Sequence, residues 1–301
     1  MNGLLFFQTV RLMTRLLPRR ACYAIARPFA GWAYRRNLAT REAIEANLRV
    51  VLHAQGQPAT AHDLERLVRR NFIGFGKYMV DFFKIGALSP ESQQALIRVE
   101  HLDYLQQCVD MNKGVIVLTA HLGNWELGAM VAQQCGFRIN AVVREQPTQR
   151  LDALFQAQRV KRGVQVLPMN GAALSVPACL KRNEIVVLLA DMNYSGGDRS
   201  VPFFGQAACL PQGPAVLAKR SGAPILPAFV LRQADDTFCF RAYPPILPDR
   251  SQSIGDIQKQ ICAVLESVIG AHPDQWFAYQ RVWPEDVSKR PASSDCSLTG
   301  G

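Results

Sequence analysis

The sequence predicts an α/β fold: a mostly parallel central sheet covered by helices. Two observations lead there. From residue 97 onward, short apolar runs rich in β-branched residues alternate with segments of helical periodicity, the pattern of a helix-covered parallel sheet. Two of those runs, 114–120 and 185–190, are continuous enough to read as buried strands. Polar residues of catalytic type, His121 and Asp191, stand where the two runs end. In open α/β sheets, ligands bind at the carboxyl ends of strands.

Length and composition set the bounds. The chain has 301 residues, enough for one large domain or two. Apolar residues make up 49% of it, ample for a core, and the formal charge is +10. Such a basic chain meets nucleic acid, anionic membrane or acidic partners. No zinc-finger spacing, RNP-like block or evident helix-turn-helix is present, which argues against nucleic acid. Eight cysteines are scattered without a C-x-x-C pair, the usage of reduced, buried thiols in a cytosolic protein. No metal cluster is visible, and neither a metal nor a bound organic cofactor is expected.

Taken in order, residues 1–36 carry Leu4, Leu5, Phe6, Phe7, Val10, Leu12, Met13, Leu16 and Leu17, broken by Arg11 and Arg15. There is no unbroken apolar run of about 20 residues, so a spanning helix is not expected. Nor is there a small-residue cleavage site of the signal-peptide kind. Arg11, Arg15 and Arg19 recur at i, i+4 and i+8, which fits a helix lying in a membrane interface with its arginines near lipid phosphates; a core-packing helix pair is the plainer reading. Ile25, Phe29 and Trp32 continue the apolar pattern. Residues 41–53 and 61–85 read as amphipathic helices, the second rich in aromatics that serve a core or border an apolar groove. Strands follow at 97–99, 114–120, 139–143, 164–167, 185–190, 225–231 and 238–243. Helices fall at 102–111, 124–135, 148–162, 172–181, 214–220 and 254–269. The spacer Gln233-Ala-Asp-Asp236 suggests a hairpin, and residues 284–301 read as a disordered tail.

The densest chemistry lies in Gly114-Val-Ile-Val-Leu-Thr-Ala-His-Leu-Gly-Asn-Trp-Glu126. A neutral imidazole takes a proton from a hydroxyl, and a carboxylate nearby fixes its tautomer. Residues five apart on one helix point about 140° apart, so His121 and Glu126 meet only if His121 lies in a turn before the helix. Gly123 permits that turn, and Asn124 is placed to be the N-cap. A helix-entry histidine beside a first-turn glutamate is the alternative. Arg144 follows the 139–143 strand and should face the same mouth. Arg150, Arg159, Lys161 and Arg162 lie on or beside the next helix, either as phosphate ligands or as a solvated face. Asp191 is at a functional edge or caps the turn that follows it. Neither a P-loop nor a nucleophile elbow occurs. The His121 block holds no positioned Ser or Cys, so it offers a base without a nucleophile of its own.

His121-Leu-Gly-Asn-Trp-Glu126 resembles the H-x4-D/E motif of glycerolipid and lipid A acyltransferases. Together with the later Ala190-Asp191, Val201-Pro-Phe-Phe-Gly205, the block from Gly213 to Pro224 and His272-Pro-Asp-Gln-Trp276, it resembles the lipid A biosynthesis (lauroyl/myristoyl) acyltransferase family, to which phosphatidylinositol mannoside acyltransferases are similar. The resemblance runs from about Arg41 to Trp283. It implies a glycerolipid-acyltransferase-like fold with N-terminal membrane-associated helices. It also implies acyl transfer from an acyl-carrier-protein thioester to a lipid A precursor or similar glycolipid, at the cytoplasmic face of a bacterial inner membrane. His121 and Glu126 become the catalytic pair, while Arg159, Asp191 and Arg144 become substrate-binding. The Met192-Asn-Tyr194 segment departs from the glutamine-containing segment usual in the family. The expected organisation is interfacial helices in 1–36, an acyltransferase domain in 37–283 and a tail in 284–301. A lysophospholipid acyltransferase using acyl-CoA or carrier thioester, a thioester hydrolase and a non-catalytic lipid-binding protein are the competing expectations.

Overall fold

The computed structural model describes residues 3–57, 59–134, 136–194, 200–249 and 251–283. Four helices come first: α1 (Gly3–Leu16), α2 (Arg19–Arg36), α3 (Leu38–Ala54) and α4 (Ala61–Lys84). Thr60 and Asp63 form a capping box at the start of α4, satisfying two of its orphan amides reciprocally. After α5 (Pro90–Gln94) the chain alternates as expected: β1 (Ile97–Glu100), α6 (Asp103–Asp110), β2 (Val115–Thr119), α7 (Trp125–Gln134), β3 (Ile139–Val143), α8 (Gln149–Lys161), β4 (Val164–Pro168), α9 (Ala172–Lys181) and β5 (Ile185–Leu189). A short hairpin, β6 (Val201–Phe203) and β7 (Gln206–Ala208), precedes α10 (Gly213–Ser221), β8 (Ile225–Arg232), β9 (Phe238–Ala242) and α11 (Ile254–Ala271). The β6–β7 hairpin has no counterpart in the sequence reading, because three-residue strands are too short to show a period.

Among the described residues the main sheet has seven strands, in the order β1-β9-β8-β2-β5-β3-β4. Every neighbouring pair is parallel except β8 and β9, whose reversal is closed by the Gln233 N–H donating to the Thr237 carbonyl at 2.8 Å. The Gln233–Asp236 hairpin is thus present. Helices cover both faces. One core packs α6 and α7 side chains (Leu105, Leu127, Met130) against Val115, Ile139 and Ile185; the other packs α9, α10 and α11 (Val176, Ala215, Leu265) against Ile116, Leu118 and Val186. Burial on both faces explains why β2 and β5 are continuous apolar runs rather than alternating ones.

This topology fixes where a site can form. The connection from β2 leads through α7 to β3, and that from β5 leads through α10 to β8 on the far side of β2. Adjacent strands whose connections diverge in this way leave a crevice at their carboxyl ends. A second opening lies beside it. Pairing between β3 and β5 stops at Ala141 and Val187, two residues before either strand ends.

The N-terminal helices pack on the domain and also expose apolar side chains. α2 buries Cys22, Tyr23, Ala30 and Tyr34. Ile25, Phe29 and Trp32 face outward at helical spacing, as do Leu5, Leu12 and Leu16 of α1. Among the described residues no helix is long and apolar enough to cross a membrane. The expected outward stripe of Arg11, Arg15 and Arg19 is not intact. Arg19 turns inward and donates to the Asp236 carbonyl at 2.6 Å. It joins a buried network in which Asp81 of α4 accepts from the Tyr23 hydroxyl at 2.6 Å and from Arg232 at 2.5 Å. Lys77 holds the Asp236 carboxylate at 2.7 Å. The network bolts α2 and α4 to the β8–β9 hairpin. Burial pushes the Asp81 carboxyl above its usual range, against the pull of Arg232 and Tyr23. The tail expected in 284–301 lies outside the described residues.

Candidate active site

β2 ends at Thr119, and the chain then makes a turn held by three backbone hydrogen bonds, at His121, Gly123 and Asn124. Gly123 has φ +61°, and a Cβ there would run into the Val230 carbonyl, so the position needs glycine for both conformation and space. The Gly123 N–H donates to the Gln275 carbonyl at 3.0 Å, the Phe277 N–H donates to the His121 carbonyl at 2.7 Å, and the Asn124 N–H donates to the Val230 carbonyl at 2.8 Å. His121 therefore lies before α7, as the spacing required. Asn124 does not act as the side-chain cap expected of it. Its carboxamide is buried and makes no hydrogen bond among the described residues.

The carboxylate that holds His121 is Asp191, not Glu126. The His121 Nδ1 and the Asp191 Oδ1 are 3.0 Å apart, the His121 backbone N–H donates to Oδ2 at 3.0 Å, and the Trp276 Nε1–H donates to the same oxygen at 2.9 Å. Sheet register is the reason. β2 and β5 are parallel neighbours with Thr119 opposite Leu189, so His121 and Asp191 each stand two residues beyond matched strand ends. Asp191 is 0% exposed. Burial alone would raise its carboxyl, but the charge of His121 and the hydrogen bonds from His121 and Trp276 outweigh that and hold it below the ordinary carboxylate range. With Nδ1–H donating to Asp191, the free basic nitrogen is Nε2. His121 lines the central cavity.

Glu126, in the first turn of α7, reaches the other way. Its Oε1 accepts from Arg159 Nη2 at 2.7 Å and Nε at 3.1 Å, a forked contact from α8. Burial would weaken the charge on Arg159, but Glu126 more than restores it. Both members of this pair line the cavity with His121. Arg150 and Lys161 are exposed, as a solvated face would have them. Arg162 is buried against Phe82 and donates to its carbonyl.

The cavity has a volume of about 1500 Å³ and passes through the opening between β3 and β5, since Val142, Val143, Leu188 and Leu189 all line it. At one end it is aromatic, walled by Phe7 of α1, Phe75 and Tyr78 of α4, Phe155 of α8 and Phe277. At the other it is aliphatic, walled by Val176, Pro177 and Leu180 of α9 and by Val216 and Leu217 of α10. Part of the aromatic stripe of α4 thus borders the cavity, while Phe82 is core. Phe203 is core as well, stacked on Trp283 at 5.5 Å between ring centroids. Around the imidazole, Trp125 and Tyr194 stand edge-on with ring centroids at 5.2 and 6.1 Å. Arg144 lies over the Tyr194 ring at 5.0 Å. Burial, with the nearby Asp191 charge, pushes the Tyr194 phenol up to about 12. The sequence reading missed Trp276 and Tyr194: the first stands there only as the end of the His272–Trp276 block, and the second only as part of a departure from the family's segment.

An imidazole held by a buried carboxylate at a divergence point of a parallel sheet, open to a cavity with apolar walls at both ends, suits proton transfer beside a hydrophobic substrate. The chain belongs to the bacterial lipid A biosynthesis acyltransferase family, whose model matches residues 4–285, and it is an acyltransferase of that kind. It is 24% identical over 300 residues to the phosphatidylinositol mannoside acyltransferase of Mycobacterium tuberculosis strain H37Rv, covering 91% of this chain and 94% of that one. The enzyme of the same name from Mycolicibacterium smegmatis is 26% identical over 227 residues, 74% of each chain. The lipid A biosynthesis palmitoleoyltransferase of Escherichia coli K12 is 24% identical over 228 residues, 74% of this chain and 72% of that one.

Proposed function

We propose that this protein moves a fatty acyl chain from an acyl-carrier-protein thioester to a hydroxyl of a glycolipid, with His121 as general base. The observation that carries the proposal is the fixed tautomer of His121: Asp191, itself held by Trp276, accepts from Nδ1 and leaves Nε2 to take the acceptor's proton. As the proton leaves, the acceptor oxygen attacks the thioester carbonyl. The tetrahedral intermediate collapses, the C–S bond breaks, and the departing thiolate takes the proton back from the imidazolium. Ester and free thiol are the products. Asp191 takes over the orienting and charge-balancing role the sequence reading gave to Glu126. The Glu126–Arg159 pair braces α7 against α8 at the cavity wall, beside the acceptor. The aliphatic end of the cavity suits the donor's acyl chain, being walled by Val176, Pro177, Leu180, Val216 and Leu217.

The outward apolar residues of α1 and α2, interspersed with Arg15, Arg20, Arg27, Arg35 and Arg36, support attachment to an anionic membrane surface. In a bacterium that surface would be the cytoplasmic face of the inner membrane. The net charge of +10 suits an acidic carrier protein as well.

The test is acyl transfer by purified protein. Radiolabelled acyl-carrier thioester is offered to lipid A precursors, phosphatidylinositol mannosides and lysophospholipids, with the His121→Ala protein beside it. Label is expected in a glycolipid and lost with His121. Label confined to phospholipid would replace the acceptor with a lysophospholipid, and full activity without His121 would end the mechanism.

A further inference from the structure

We infer that two buried asparagines, Asn47 of α3 and Asn71 of α4, are positioning residues for the His121–Asp191 dyad, acting through the backbone of residues 274–282. The inference rests on the acyl transfer proposed above and extends its machinery to two side chains that do not line the central cavity.

Residues 274–282 run between the catalytic turn and the N-terminal helices. On the sheet side their contacts are those of a strand. Leu122 and Trp276 form an antiparallel bridge, the Gln275 carbonyl accepts from Gly123, and the Phe277 N–H donates to the His121 carbonyl. The Gln275 side chain also pairs with both backbone groups of Arg232, the last residue of β8, accepting from its N–H and donating to its carbonyl, each at 2.9 Å. On the other side α3 and α4 stand where a neighbouring strand would be, and a helix uses its own backbone groups internally. Buried carbonyls facing a helix are orphans unless side chains reach them. The two asparagines do so. Asn71 Nδ2 donates to the Trp276 carbonyl at 2.7 Å and to the Asp274 carbonyl at 3.3 Å. Asn47 Nδ2 donates to the Ala278 and Gln280 carbonyls at 3.1 and 2.8 Å, and its Oδ1 accepts from the Val282 N–H at 3.0 Å. A carboxamide has the donor and acceptor of a peptide unit, so each stands in for a missing strand.

Two observations tie these bonds to the dyad rather than to the core alone. The first is their placement. Asn71 holds Asp274 and Trp276, on either side of the Gln275 that holds Gly123, and Trp276 is the residue whose indole N–H meets Asp191. Asn47 takes hold at Ala278, one residue past the Phe277 that meets the His121 carbonyl. The second is that Asn71 is a poor choice for stability. It is fully buried, and its Oδ1 has no hydrogen-bond partner among the described residues, which is a cost that an apolar side chain would avoid. What Asn71 provides in return is a fixed place for the Trp276 backbone. If the segment shifts, the indole goes with it, Asp191 loses a donor on Oδ2, and its carboxylate can turn away from the His121 Nδ1. The helices that pack beside the domain thereby set the geometry of a dyad built on strands β2 and β5.

The experiment compares full-length wild type with Asn71→Leu, Asn47→Leu and Leu105→Ala. Leucine keeps the branched shape of asparagine and removes its polar atoms. Leu105→Ala opens a cavity in the core on the other face of the sheet, so it lowers stability without touching residues 274–282. Thioester-to-glycolipid transfer gives kcat and both KM values, ¹⁵N shifts give the tautomer of the His121 ring, and solvent exchange of the Trp276 indole proton reports its bond to Asp191. In both asparagine variants kcat should fall about 10- to 100-fold, the scale set by a displacement of about 1 Å at a reacting centre, while the donor and acceptor KM stay near wild type. The Nδ1–H tautomer should give way to a mixture, and the indole proton should exchange faster. Leu105→Ala should melt earlier and show none of these changes. Asn71→Ser and Asn47→Ser keep a donor of shorter reach and should fall between wild type and the leucine variants; if either leucine variant does not fold, its serine counterpart decides by the same readouts. A folded Asn71→Leu protein with wild-type kcat overturns the inference. So does a loss of kcat no larger than that of Leu105→Ala, or an unchanged His121 tautomer. Should wild type transfer no acyl group, the proposed activity falls, while the tautomer and the indole exchange still decide what the two asparagines do.

Discussion

Replacing Asp191 by asparagine is the sharpest single test of the site. The carboxylate accepts three N–H groups: the His121 backbone and the Trp276 indole on one oxygen, and the His121 ring on the other. Asparagine is nearly the same size but has one acceptor and one donor end. Its carbonyl will take the position that faces two donors, because the reverse would set an NH2 group against two N–H groups. The NH2 then faces Nδ1, which must accept, so the proton moves to Nε2. The imidazole now carries a hydrogen where it should receive one. General-base catalysis is worth roughly 10²–10⁴ in rate, so kcat for transfer should fall by about that factor, equivalent to about 3–5 kcal/mol of barrier. Stability should fall by less, about 1–3 kcal/mol, since all three hydrogen bonds can still be made, one of them reversed, and what is lost is the charge assistance of the carboxylate. The assay pairs thioester-to-glycolipid transfer with a denaturant melt and the ¹⁵N shifts of the His121 ring. A folded Asp191→Asn protein within a few-fold of wild type, or one whose His121 keeps its proton on Nδ1, would refute the reasoning. The sign of the pH effect follows as well. Asp191 has a folded pKa below its unfolded value. Its contribution is therefore present above the unfolded carboxylate pKa of about 3.9 and lost as pH falls through the folded one. Acid unfolding should be less steep in Asp191→Asn than in wild type.

Further substitutions probe the ion pairs and the cavity around the dyad. Arg159→Met leaves the Glu126 carboxylate partly buried and unpaired, and should cost about 3–5 kcal/mol of stability; Glu126→Gln should cost less, and neither should change the His121 tautomer that Asp191→Asn changes, as ¹⁵N shifts will report. Arg232→Met strands Asp81 beneath α2 and should cost a similar amount, with hydrogen exchange rising in α2 first; adding Asp81→Leu should recover most of it, and a cost under about 1 kcal/mol would show that the network carries little. Leu217→Trp narrows the aliphatic end of the cavity, and donor competition should show a shift toward shorter acyl chains, about fourfold in the long-to-short ratio per excluded methylene at ~0.8 kcal/mol each.

The fold was legible wherever periodicity ran long enough. β2 and β5 read as buried strands because helices cover both their faces, and α4 and α11 stand out because each runs for several turns along the core. The β6–β7 hairpin left no period to find. The site was legible in its parts but not in its pairing. His121, Glu126, Arg144, Arg159 and Asp191 all lie at the cavity or on its dyad, yet local spacing pointed to Glu126 as the partner of His121. That partnership is decided by strand register across 70 residues, which no short window contains. Arg19 shows the same blindness in reverse. Its spacing puts it on a surface stripe, while the distant Asp236 draws it inward. Trp276 could have been singled out by one signal: it is a tryptophan in a polar pentapeptide, and a buried indole N–H needs an acceptor.

The bridge between residues 275–277 and the turn at 121–123 has a consequence for how the protein is made. In the order of synthesis, His121 and Asp191 leave the ribosome long before Trp276 and Phe277, yet those late residues supply the indole donor and the backbone partner that hold the dyad. A chain interrupted between Asp191 and Trp276 has both dyad side chains and lacks the partners that fix the geometry between them. Fragments left by a stalled ribosome or a protease cut near the C-terminal segment would therefore lack a fixed dyad, so that acyl transfer is carried out only by finished molecules.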